Sequence, residues 1–169
     1  MTHTRTRRSS ILMATVAFSL LLLSCRDGIS AANPPVNPDF RLKAVDGRTI
    51  GPKDFRGRVV VVDFWATWCV PCHRQAEILE SLHREYKGKP IQFLAANVGE
   101  DEATVRSFLQ NRPMPYPVLL DPEDRVSSQM GVLALPTLIV IDKAGKVSYT
   151  NAGVTEESTL RKVLKSAGI

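Results

Sequence analysis

A run of valines and aromatics, Val59 to Trp65, leads directly into Trp65-Ala66-Thr67-Trp68-Cys69-Val70-Pro71-Cys72. The run predicts a buried strand, and the residues after it predict a helix. The two cysteines therefore fall where a strand ends and a helix begins. Cys69 sits at the helix N-terminus, where backbone N–H groups are unpaired and the helix dipole is positive. Both features favour thiolate over thiol, and the thiolate is the nucleophile of disulfide exchange. Cys72 lies one turn further in, near enough to close a small ring with Cys69. Pro71 suits the first helical turn, where its missing N–H costs nothing. The stretch predicts a reversible dithiol/disulfide centre.

Two plainer readings compete. Half of a zinc site would need four ligands in all. The one further cysteine is Cys25, and His73 and His83 do not form a second ligand pair of the usual spacing. A purely structural disulfide across so short a loop would remove little unfolded-state entropy. Redox chemistry is the stronger reading of the pair.

The 169 residues allow one domain plus extras, with ordinary hydrophobic (44%) and charged (23%) fractions. Residues 1–24 carry Arg5, Arg7 and Arg8 and no acidic residue, so their removal takes the formal charge from +5 to about +2. That surplus gives no reason to expect nucleic acid. Residues 11–23 form an apolar core of roughly 20 Å as a helix, short of the ~30 Å hydrocarbon layer, which points to a secretory signal rather than a stable span. Leu22-Leu23-Ser24-Cys25 resembles a bacterial lipobox, although Leu23 occupies a position that is more often small. The resemblance implies cleavage before Cys25 and lipid attachment there. Ser30-Ala31-Ala32 offers a rival cut that would release a soluble periplasmic protein. Residues 1–24 are thus expected to be a lipoprotein signal peptide, 25–39 a Pro/Asn-rich flexible tether, and 40–169 the folded domain. With Cys25 lipidated, the mature domain carries no thiol beyond Cys69 and Cys72, which suits an oxidising envelope.

Along the domain, 40–44 and 48–50 predict a hairpin with Asp46-Gly47 in its turn. Residues 52–55 predict one helical turn, and 71–86 a helix with Ile78, Leu79 and Leu82 inward and Gly88 at its end. Ile91 to Val98 predicts a second strand, and Asp101 caps a helix to about Asn111 with Val105, Phe108 and Leu109 inward. A short strand at 118–120 and a short helix at 122–130 follow. Residues 137–142 and 146–150 predict a hairpin, and Thr155 is the expected cap of a last helix bearing Leu160, Val163 and Leu164. The expected class is α/β, a mixed central sheet covered by helices on both faces, with an N-terminal hairpin and an inserted strand–helix.

Val62-Asp63-Phe64-Trp65-Ala66-Thr67-Trp68-Cys69-Val70-Pro71-Cys72 is similar to the active-site segment of the thioredoxin superfamily. The Asp46-Gly47 hairpin and three further features resemble its extracytoplasmic TlpA/ResA-like branch. The three are Phe55-Arg56-Gly57-Arg58-Val59, the inserted strand–helix around 91–111, and Gly131-Val132-Leu133-Ala134-Leu135-Pro136-Thr137 followed by Ile141-Asp142-Lys143-Ala144-Gly145. The resemblance covers residue 40 to the C-terminus and implies a thioredoxin-like fold. It implies Cys69 as nucleophile, Cys72 as resolving thiol and Asp63 as a buried base beneath Cys72. It also implies Pro136 as a cis-proline that, with Leu135 and Trp68, meets the substrate, Trp68 covering Cys69. Trp65 is expected in the core. His73 is expected on the active helix, where its protonated form could favour the Cys69 thiolate or its side chain could simply be solvated. Two departures stand out. Ile91 to Val98 lacks the lysine thioredoxins place beside the aspartate, and Gln75 stands where this branch often carries glutamate, while Glu77 faces elsewhere.

The expected activity is that of an extracytoplasmic thiol–disulfide oxidoreductase that reduces, rather than oxidises, protein disulfides. Cytochrome c maturation or copper-site assembly is the implied setting. The redox-active Cys69–Cys72 disulfide would serve in place of any cofactor or metal. The expected partners are protein disulfides, a membrane electron donor and the membrane itself through Cys25, with the chain a monomer. One alternative is a copper(I) chaperone, since two thiolates suit Cu(I), although the related Sco type spaces its cysteines by three. The other is a thiol peroxidase, whose proline–threonine–cysteine motif is missing here.

Overall fold

The computed structural model describes residues 38–169. The expected signal peptide, Cys25 and the tether up to residue 37 lie outside the described residues. The sheet has seven strands in the order β2-β1-β5-β4-β3-β6-β7: β1 Leu42–Ala44, β2 Thr49–Ile50, β3 Val59–Trp65, β4 Ile91–Val98, β5 Val118–Asp121, β6 Thr137–Ile141 and β7 Val147–Ala152. Strands β3, β4 and β5 run parallel, whereas β1, β2, β6 and β7 attach through antiparallel pairs. Every residue of β3 is buried, as its unbroken apolar run implies.

Because side chains alternate along a strand, β3 feeds two cores. Val59, Val61 and Trp65 join a cluster containing Leu79, Leu82, Val105, Leu160 and Leu164. Val60, Val62 and Phe64 join the other, with Phe40, Ile50, Val126 and Met130. The first core is roofed by α1 Val70–Glu85, α2 Glu102–Asn111 and α4 Glu157–Ser166; the second by the N-terminal segment and α3 Arg125–Gln129. The hairpin β1–β2 extends the sheet beyond β5. Its approach requires Gly51, where a Cβ would stand 1.8 Å from the carbonyl oxygen of Phe40.

The strands and the major helices follow the sequence closely, with two corrections. Residues 122–124 form a turn, not helix, and α3 begins only at Arg125. The cause is Asp121, whose buried carboxylate accepts from the N–H groups of Val126 (3.2 Å) and Ser127 (2.7 Å), fixing the helix start there. Thr155 does not cap α4, because Glu156 holds that position. Thr155 is instead buried, its N–H donating to Gln75 Oε1 at 2.7 Å and its Oγ1 accepting from Asn151 Nδ2 at 3.1 Å. Asp101 does cap α2, accepting from Thr104 N at 2.8 Å.

Within α1 the fully buried positions are Cys72, Gln75, Ala76, Leu79 and Leu82, while Ile78 lies at the margin. We expect Leu79→Ala to cost ~2–5 kcal/mol, the range for buried leucine truncations, and Ile78→Ala distinctly less. Urea midpoints at constant m-value measure both.

Candidate active site

Strand β3 delivers the chain to the cysteines at its C-terminal end. Residues 66–69 then turn tightly, with Cys69 N–H donating to the Ala66 carbonyl at 3.2 Å. Cys69 is the N-cap of α1 and Pro71 lies in its first turn, so Cys69 occupies the expected place at the positive end of the helix. Cys69 and Cys72 form a disulfide, with Sγ–Sγ 2.02 Å and Cα–Cα 5.3 Å. Both are nearly buried, at 3% and 1% exposure, and belong to the α1-side core.

Asp63 is 1% exposed and lies between the Val61 and Trp65 positions of that same face. Its register neighbours are Ala95 on β4 and Leu138 on β6, neither of which can donate from a side chain. Neither carboxylate oxygen has a hydrogen-bond partner among the described residues. Burial alone pushes its pKa well above the usual carboxylate range. Asp63 and Cys72 thus enter the same core from opposite sides, one from the sheet and one from the helix above it.

Gln75 is fully buried one turn past Cys72. Its Oε1 takes the Thr155 N–H, tying α1 to the segment before α4, so this position serves a structural bond. Glu77 points away, its side chain 69% exposed and paired with Arg112 Nη2 at 2.9 Å. Trp65 is core, in ring contact with Phe108 at 5.3 Å. Trp68 is 71% exposed, so the low exposure of Cys69 comes mainly from the core it joins and not from an indole lid. His73 lies against Phe108, ring centroids 5.4 Å apart, and its Nε2 donates to the Thr67 carbonyl at 3.1 Å.

The Leu135–Pro136 peptide is cis. The register of Thr137 with Phe64 sets this loop beside the end of β3, hence beside the turn that carries Cys69. Thr137 Oγ1 donates to the Ala134 carbonyl (2.6 Å) and Gly153 N–H to the Pro136 carbonyl (2.7 Å), holding the loop from both sides. Leu133 in the same loop is 96% exposed and Val70 is 74% exposed. The large exposed apolar residues of the described chain are therefore Trp68, Val70 and Leu133, all near the disulfide or the cis-proline.

One cluster escaped the sequence reading. The Glu100 carboxylate accepts from Thr67 N–H (2.7 Å), Thr67 Oγ1 (2.5 Å) and Asn97 Nδ2 (2.7 Å). The signal was available: β3 and β4 are parallel neighbours, so polar residues just after β4 must emerge beside the residues just after β3. Asn97 is in fact in register with Trp65.

A family model described as Redoxin matches residues 31–164. Thiol-disulfide oxidoreductase ResA of Geobacillus thermodenitrificans is 31% identical over 156 residues, covering 92% of this chain and 90% of that protein. A crystal structure from Chlorobium tepidum, described as a thiol:disulfide interchange protein DsbE, aligns with a TM-score of 0.73 at 30% identity, over 79% of this chain and 95% of that one. The exposed lipoprotein thioredoxin Etrx1 of Streptococcus pneumoniae aligns with a TM-score of 0.69 at 30% identity, over 76% and 98%. The chain belongs to the TlpA/ResA-like branch of the thioredoxin superfamily. It is a ResA-like thiol–disulfide oxidoreductase, and Cys69–Cys72 is its redox pair.

The buried acid of this ResA-like protein has a stability consequence. The folded-state pKa of Asp63 lies above the unfolded value of about 3.9, so the native state holds the proton more tightly. The contribution of Asp63 to stability is then full below about pH 4 and falls as pH rises toward its folded pKa. We expect Asp63→Asn to be more stable than the parent at pH 7, with the difference shrinking toward pH 4. Urea unfolding at both values checks the sign.

Proposed function

We propose that this protein is a lipid-anchored reductant of protein disulfides in the bacterial cell envelope. The observation that carries the reading is the Cys69–Cys72 pair at the N-terminus of α1, above a buried carboxyl group with no competing partner. In the reduced protein the Cys69 thiolate attacks one sulfur of a substrate disulfide. A mixed disulfide forms, and the other substrate sulfur leaves as thiolate and takes a proton. The ionised Asp63 carboxylate then takes the Cys72 proton, and the Cys72 thiolate attacks Cys69 Sγ. The Cys69–Cys72 bond forms, the mixed disulfide breaks, and the second substrate sulfur leaves as thiolate and takes that proton from Asp63. Two electrons have passed to the substrate, and a membrane thiol donor supplies two more to reduce the pair again. An aspartate held above its ordinary pKa is a stronger base than a solvated one, which suits it to the resolving step.

The substrate backbone lies along Leu135–Pro136, with Trp68 against its side chains. Its class is a protein disulfide, in cytochrome c maturation or copper-site assembly. The lipid anchor rests on Leu22-Leu23-Ser24-Cys25, and the description of the pneumococcal neighbour as an exposed lipoprotein supports it. No helix of the described residues is long and apolar enough to cross a membrane.

Cys72→Ser leaves the mixed disulfide unresolved. We expect this variant to accumulate a covalent complex with a disulfide-bonded test protein through Cys69, and Cys69→Ser to form none, both read on non-reducing gels. Labelled palmitate is expected in the parent chain and not in Cys25→Ser. A complex formed through Cys72 would contradict the assigned roles.

A further inference from the structure

The turn that presents Cys69 is held from two sides at a single residue, Thr67. Its N–H and Oγ1 both donate to Glu100, which follows β4, and its carbonyl accepts from His73 Nε2 on α1. Asn97 Nδ2 completes the set of donors to the Glu100 carboxylate. Gly99, with φ of +74°, turns the chain so that Glu100 reaches back to the turn, and its N–H is fixed to the Asp121 carbonyl at 3.0 Å. The contact is therefore built into the ends of three adjacent parallel strands.

We infer that Glu100 is a positioning residue that also sets the thiolate affinity of Cys69, holding the couple toward the reducing side. The inference rests on Cys69 being the attacking thiol and goes beyond that reading to what tunes it. Four backbone and side-chain donors converge on Thr67 and Glu100, so the carboxylate has a fixed place. Since Cys69 N–H closes the turn onto Ala66, Thr67 and Cys69 lie within one turn, whose ends are under ~7 Å apart. A carboxylate bonded to Thr67 N–H thus stands roughly 6–10 Å from Cys69.

At that range a negative charge opposes a second one on Cys69 and offsets part of the helix-terminus effect. A less stable thiolate means a less stable reduced form of the pair, hence a stronger reductant. The other charged and titratable groups around the turn are His73, Asp63 on the sheet below, and the pairs Arg112–Glu77 and Arg74–Glu156. Of these, Glu100 alone has its carboxylate bonded to the turn itself.

Glu100→Gln separates charge from geometry. The amide oxygen can accept from Thr67 N–H and Asn97 Nδ2 where Oε2 now does. The amide nitrogen can donate to Thr67 Oγ1, whose hydroxyl rotates to accept. In the full chain carrying Cys25→Ser and Cys72→Ser, Cys69 is the single thiol. We expect Glu100→Gln in that background to lower the Cys69 pKa by about 0.5–1.5 units, or ~3- to ~30-fold in thiolate-to-thiol ratio, with Tm little changed. The pH profile of iodoacetamide alkylation reads the first, and circular dichroism the second.

Glu100→Ala, which loses charge and contacts together, is expected to lower the pKa in the same direction and also Tm. In the Cys25→Ser chain with both active cysteines, the Glu100→Gln pair should equilibrate at a more oxidising potential against glutathione. Equal Cys69 pKa in parent and Glu100→Gln overturns the inference, as does failure of both variants to fold, which would make Glu100 a structural residue only. A mixed disulfide that forms through Cys72 in Cys69→Ser, with none through Cys69 in Cys72→Ser, instead overturns the assignment of Cys69 as nucleophile.

Discussion

The architecture depends on one junction, the passage from a strand buried on both faces into the first turn of a helix. Double-sided burial fixes β3 in the middle of the sheet, because an unbroken apolar run can be covered only there. The helix that follows must lie over one face, and α1 does so with Ala76, Leu79 and Leu82. Its N-terminus then has to stand at the end of the sheet, with unpaired N–H groups and positive potential. Cys69 is placed at that point by the packing of residues far from it.

The same geometry explains why a carboxyl group is tolerated in the core. Asp63 occupies one position of a strand whose other residues supply the hydrophobic burial that outweighs its cost. It shares a core with Cys72, and its register neighbours Ala95 and Leu138 offer it no side-chain donor. The fold thus keeps a carboxyl group of raised pKa in the core that Cys72 also joins. The absence of a lysine along β4 leaves this acid without a charged neighbour there. Gln75, at the position where relatives of this branch often have a titratable residue, bonds to the Thr155 backbone instead.

What could be read from the sequence was what depends on periodicity and on local signals. The limits of β3 and β4, the helix after Cys69, the cap at Asp101 and the hairpin turns at Asp46-Gly47 and 143–145 all rest on such signals. The cis Leu135–Pro136 peptide was readable through family resemblance alone. Features set by long-range neighbours were not readable. Thr155 has the side chain of a cap but is taken by Gln75, 80 residues away. Glu100 looks like a solvated acid before a helix until the parallel register of β3 and β4 brings it to Thr67, 33 residues earlier. Trp68 resembles a shielding indole, yet it ends at the surface because the turn it occupies projects outward.

The most direct test of a reducing dithiol at this junction is the midpoint potential of the full chain carrying Cys25→Ser, followed by tryptophan fluorescence in thiol buffers. Trp65 and Trp68 lie just before the pair and supply the signal. A single reversible two-electron transition on the reducing side, nearer the ~−270 mV of thioredoxin than the ~−120 mV of DsbA, is the predicted result, lost in Cys69→Ser and in Cys72→Ser. A midpoint near the DsbA value, or no transition at all, would contradict it.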